Sequence, residues 1–112
     1  MFPPPKSRAE TLRTMLPQST ADVRLYSGAD GGRKTPAHPG WGCPCCCSTS
    51  PPITGWDGWP LLDSPLTPGE SRRLSFVFLS GEEAALVLRN AGKFYLWEGR
   101  FIGEAVVVAD EL

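Results

Sequence analysis

The sequence predicts a small all-β domain, and three observations carry that expectation. Apolar and polar side chains alternate with period two at residues 23–26 and 72–79, the pattern of a half-buried strand. Gly and Pro number 12 each in 112 residues, which favours tight turns over long helices. Short apolar segments then recur between turn signals, the spacing of a small barrel or a sandwich.

Residues 1–20 are expected as an N-terminal arm, flexible or a short helix, and residues 21–112 as the domain. Ser7 and Glu10 have capping-box spacing, Leu12, Met15 and Leu16 follow at helical intervals, and Pro17 stops the pattern, so a helix is expected over 7–16. A first strand covers Val23 to Tyr26. Residues 27–32 form a glycine-rich turn, 33–39 run extended between prolines, and 41–49 make a second strand built largely of cysteines. Residues 50–60 read as a loop and 65–70 as a turn. In 72–79, Leu74, Phe76 and Phe78 share one face. Residues 80–83 begin a turn or a single helical turn leading into 84–89. A turn at Asn90, Ala91 and Gly92 follows, and 93–98 with 100–109 form a hairpin across Gly99.

Composition excludes several classes. With 41% hydrophobic and 21% charged residues the chain reads as globular. Net charge is −1, although residues 1–50 sum to +3 (six basic, three acidic) and 51–112 to −4 (five basic, nine acidic). Such small excesses describe solvated surfaces and single out no membrane or nucleic-acid partner. No apolar run nears 18 residues, and the first ten residues lack signal-peptide layout. A cytoplasmic location and free thiols are therefore expected.

The cysteine run Cys43, Cys45, Cys46 and Cys47, with His38 upstream, offers zinc-binding chemistry. Its spacing opposes that reading. Structural zinc sites use two separated pairs, and cysteines alternating along a strand face opposite ways. Packing is the favoured role, because buried cysteine behaves as a small hydrophobe. A zinc- or thiol-binding protein stands as the alternative. His38 is the only histidine and has no placed nucleophile beside it. Glu82 and Glu83, like Asp110 and Glu111, are sequence neighbours that diverge on a strand, which makes them poor acid–base pairs. Gly28 to Lys34 lacks the layout of a phosphate-binding loop. No cofactor and no enzymatic activity are expected.

Several motifs occur in an order that resembles the third domain of translation elongation factor Tu. Val23-Arg24-Leu25-Tyr26 precedes Asp30-Gly31-Gly32-Arg33-Lys34-Thr35-Pro36, as that family's first strand precedes Gly-Gly-Arg-(His/Lys)-Thr-Pro. Gly40-Trp41, the cysteine run, and Ile53-Thr54-Gly55 follow where the family has Gly-Tyr, an aromatic strand and Thr-Gly. Pro68-Gly69-Glu70 matches the Pro-Gly-Asp/Glu turn. The closing hairpin, Leu96-Trp97-Glu98-Gly99-Arg100-Phe101-Ile102-Gly103-Glu104-Ala105-Val106-Val107, matches with one glycine fewer. The resemblance covers residues 21–109.

It implies a six-stranded antiparallel closed β-barrel, a stand-alone relative without the factor's nucleotide-binding domain, so no GTP is expected. It also implies that Arg33 and Lys34 lie in a turn that contacts tRNA, with Ser48 and Thr49 at a nearby strand end. A protein partner is nonetheless favoured over tRNA or ribosome-associated RNA, because two clustered cations are few for phosphate-driven affinity. Four tryptophans are many for so small a core, and Trp56 and Trp59, in a Gly/Pro loop, are the candidate protein contacts. The competing reading of that pair is that they cap an open barrel end.

Overall fold

The computed structural model describes residues 7–13 and 15–108. Expectations for residues 1–6 and 109–112 lie outside the described residues. The elements are α1 (Arg8–Arg13), β1 (Ser19–Leu25), β2 (Cys43–Cys46), β3 (Gly55–Pro60), β4 (Ser71–Phe78), α2 (Glu82–Ala91), β5 (Lys93–Trp97) and β6 (Phe101–Val107). The six strands close into an antiparallel barrel in the order β1-β4-β3-β2-β5-β6. Closure settles the choice between barrel and sandwich, and it leaves no strand edge unpaired.

Alternation builds the interior. Ala21, Val23 and Leu25 from β1 point inward, as do Leu74, Phe76 and Phe78 from β4, Phe94 and Leu96 from β5, and Ile102 and Ala105 from β6. The rings of Phe76 and Phe94 meet edge to face at 5.3 Å, and Phe78 completes the cluster. The strand β1 starts at Ser19, two residues ahead of the expected domain start, and pairs with β4 from its first residue.

Four segments differ from the sequence expectation, two of them by gaining structure. Residues 50–60 are not all loop, because β3 occupies 55–60 and bridges β2 and β4. Its inward positions hold Gly58, opposite Phe78, and Pro60, opposite Phe76. A Cβ at Gly58 would sit 2.8 Å from the Phe78 ring, so a residue that reads as a strand breaker is what lets β3 approach the aromatic cluster. The second difference is α2, which extends the expected single turn to ten residues. Ala84, Ala85 and Leu88 lie on one side and are fully buried. Glu82 and Glu83 sit in the first turn and Arg89 in the last, signs that complement the helix dipole. Gly92, at φ 78°, closes the helix by donating its N–H to the carbonyls of Leu88 and Arg89.

The cysteine strand is also shorter than expected, four residues rather than nine. Likewise α1 ends at Arg13, short of Leu16. Ser7 Oγ accepts the Glu10 N–H at 3.2 Å, half of the anticipated capping box. Pro17 disfavours helical backbone at the residue before it, and of the three apolar residues at helical spacing only Leu12 is buried.

The antiparallel pairing defines two barrel ends. One holds α2 and the loop between β2 and β3. The other holds residues 26–42, the loop between β3 and β4, and the β5–β6 turn. A two-residue bridge between Ala37 and Leu66, both fully buried, plugs this second end.

Candidate interaction surface

The outward side chains of β5, β6 and β1 make one continuous patch. In β5 the phase that buries Phe94 and Leu96 turns Lys93, Tyr95 and Trp97 outward. Phe101 of β6 stands between the last two, with ring centroids 4.9 Å from Trp97 and 6.0 Å from Tyr95, both edge to face. Lys93 lies over the Tyr95 ring at 5.2 Å, and Arg24 of β1 lies over Tyr26 at 5.0 Å. Glu104 binds both cations, Arg24 on one side and Lys93 at 2.7 Å on the other. Aromatic rings thus flank an ion-paired centre, and all four rings are partly exposed.

Electrostatics hold this centre in one state. Lys93, then Arg24, keeps the Glu104 carboxyl below the usual carboxylate range, and Glu104 raises Lys93 in turn. Burial, with the Glu104 carboxylate beside it, pushes the Tyr26 phenol up. At neutral pH the centre is therefore charged and paired, with two cations against one anion.

Arg33 is placed differently from the expectation of a phosphate-contacting cation. Its guanidinium pairs with Glu98 across 65 residues of sequence, donates to the Thr35 carbonyl at 3.1 Å, and lies 5.3 Å from the Trp41 ring. Trp41 Nε1 donates to the same Glu98 carboxylate at 2.9 Å. Beside it, Arg100 donates to the carbonyls of Gly31 and Gly32. These bonds clamp the glycine turn onto the β5–β6 hairpin, and the Arg33 side chain keeps only 16% exposure. Lys34 next to it is exposed. Ser48 and Thr49 are exposed too, but at the other barrel end. Cys46 pairs with Tyr95, so the chain beyond it runs toward the start of β5, whereas Arg33 meets Glu98 past the end of β5. Roughly 15 Å of strand, at about 3.3 Å per residue, separates the two sets. The structure brings Arg33 and Lys34 together and does not bring Ser48 and Thr49 to them.

Trp56 and Trp59 belong to β3 and not to a loop. Trp56 pairs with Cys45 and packs against the core from the inward face. Trp59 faces outward beside Val77, where it lines an apolar groove with Leu12 and Met15. A Cβ at Gly42 would lie 2.3 Å from its indole, which shows how closely the chain is laid over this ring. Both tryptophans pack against the domain on one side and remain partly exposed. The sequence reading passed over the outward phase of β5, although Lys93, Tyr95 and Trp97 alternate with Phe94 and Leu96 plainly enough.

The cysteines divide by strand phase. Cys43 and Cys45 point into the core, Cys46 is 1% exposed, and Cys47 lies outside the strand and is exposed. The neighbouring Cys43 thiol, then burial, pushes Cys45 well above the ordinary thiol range, and burial raises Cys46. His38 is exposed. Among the described residues no three His, Cys, Asp or Glu side chains gather as a metal site would require. A thiol-reactive chromogenic reagent is expected to titrate one cysteine rapidly in the native chain and all four after denaturation. Two or more fast thiols would contradict the packed strand.

No known family model matches the sequence, and a search of curated proteins finds no match to it.

Proposed function

We propose that this chain is a non-catalytic binding barrel, akin to the third domain of elongation factor Tu and working in the cytoplasm, that docks a protein partner on the outer face of β5, β6 and β1. The observation that carries the reading is the patch of Tyr95, Trp97 and Phe101 beside the Arg24–Glu104–Lys93 centre. Interfaces draw their energy from large, rigid aromatic anchors surrounded by groups that exclude water, and Trp and Tyr lead among such anchors.

Charge pairing favours protein over tRNA. Affinity for nucleic acid comes mainly from cations free to neutralise phosphates. Here Arg24 and Lys93 share Glu104, Arg33 is paired with Glu98, and Arg73 of β4 with Asp22. The motif order shared with the elongation factor supports the barrel's kinship and a role connected with translation.

The double variant Tyr95→Ala, Trp97→Ala is expected to keep the native circular dichroism spectrum and to lose about 2 kcal/mol or more of partner affinity, roughly thirtyfold, in a quantitative pull-down. In parallel, tRNA titrated at two salt concentrations is expected to show negligible binding at both. Strong, salt-sensitive tRNA binding would overturn the choice of partner. Unchanged capture of protein by the double variant would overturn the choice of face.

A further inference from the structure

The loop between β2 and β3 stands apart from the rest of the surface. Cys46 and Gly55 are register partners, so residues 47–54 form an eight-residue hairpin loop, longer than the two to five residues common for such connections. Every residue from 47 to 55 is exposed, the longest such run among the described residues. The loop carries no charged side chain and contains Ser48, Thr49 and Ser50, followed by Pro51 and Pro52.

Four Ser-Pro or Thr-Pro dipeptides occur among the described residues, beginning at Thr35, Ser50, Ser64 and Thr67. Three are tied into the fold. The Arg33 guanidinium donates to both the Thr35 hydroxyl and the Thr35 carbonyl. Arg72 does the same to Ser64, at 3.2 Å and 3.0 Å. The Thr67 hydroxyl donates to the Glu70 carboxylate at 3.0 Å, and the Thr67 N–H donates to the same oxygen at 3.1 Å. Ser50 differs. Its N–H donates to the Ser48 hydroxyl, and its own hydroxyl has no hydrogen-bond partner among the described residues.

We propose that Ser50 is a phosphorylation site for a proline-directed serine/threonine protein kinase. Such an enzyme must draw an accessible stretch of chain into its cleft with proline directly after the acceptor. Of the four dipeptides, only this one meets that need without first breaking hydrogen bonds that tie the acceptor residue to the fold. In the reaction, Ser50 Oγ attacks the γ-phosphorus of kinase-bound ATP. The new O–P bond forms as the bond to the β–γ bridging oxygen breaks, ADP leaves, and the hydroxyl proton passes to a base on the kinase. The product places about −1.5 to −2 of charge on an uncharged loop at the barrel end that also bears α2.

The test incubates the full native chain with ATP and a purified proline-directed kinase, and locates phosphate by tandem mass spectrometry. Ser50 is expected to be modified at least about tenfold faster than Thr35, Ser64 or Thr67, the factor that about 1.4 kcal/mol of local opening imposes on the tied sites. The variants Ser50→Ala and Pro51→Ala, each checked for native circular dichroism, are both expected to abolish the fast phase; the second keeps the hydroxyl and removes only the directing proline. No incorporation, equal incorporation at the four sites, or fast modification that survives Pro51→Ala would overturn the assignment.

Discussion

Replacing Phe76 with alanine is expected to cost about 3–5 kcal/mol, a large share of the roughly 5–15 kcal/mol that holds a small domain folded. Phe76 is fully buried and central to the ring cluster, stacked on Phe78 at 5.9 Å and meeting Phe94 edge to face at 5.3 Å. The loss has two parts. The removed ring no longer leaves water on folding, and the barrel wall cannot collapse into the space, because each neighbouring strand is held by pairing on both sides. The ring contacts add roughly 0.5–1.5 kcal/mol per pair beyond buried area. Urea denaturation followed by tryptophan fluorescence would show a lowered midpoint at unchanged slope. A loss below about 1 kcal/mol would mean that Phe76 does not occupy the centre of a close-packed barrel.

The second large effect is expected at Gly32. A Cβ there would lie 1.9 Å from the Tyr26 carbonyl oxygen and 2.9 Å from that of Ser27, both backbone atoms that cannot swing aside. Gly32 also donates its N–H to the Ser27 carbonyl at 2.8 Å and accepts from Arg100. Gly32→Ala must therefore open the turn that seats Arg33 on Glu98, with a cost at or above the upper end of the roughly 1–3 kcal/mol usual for overpacking. Gly31 provides the contrast. Its φ is 86° and a Cβ would meet nothing, so Gly31→Ala carries only the roughly 1–2 kcal/mol of left-handed backbone strain. Thermal melts should rank the variants wild type, Gly31→Ala, Gly32→Ala in falling stability. The reverse order would contradict the close approach of the turn to Tyr26.

These two residues also show what was legible in the sequence. The strands β1, β4, β5 and β6 could be read because their inward positions are apolar and most of their outward ones are polar or aromatic, Val77 and Val106 excepted. The strand β3 could not, since its inward positions hold Gly58 and Pro60, which fit only because Phe78 and Phe76 fill the interior opposite them. The helix α2 was half seen: Leu86, Val87 and Leu88 form an apolar run that suits a strand equally well, and only the buried side of Ala84, Ala85 and Leu88 decides. Charge at Arg33 was visible, but its partner Glu98 depends on tertiary pairing. The outward aromatic row was legible within β5, while its joining to Phe101, Glu104 and Arg24 required the strand order.

Docking of a protein on the aromatic face of β5 and β6, as proposed, can be read by photo-crosslinking. A photoreactive phenylalanine analogue placed at Trp97 is compared with one at Asp57, an exposed position on β3, the strand opposite β6 in the six-stranded barrel. Position 97 is expected to capture one protein species that excess unlabelled chain displaces, and position 57 to capture none. Equal capture from both positions, or capture from 57 alone, would contradict docking on this face.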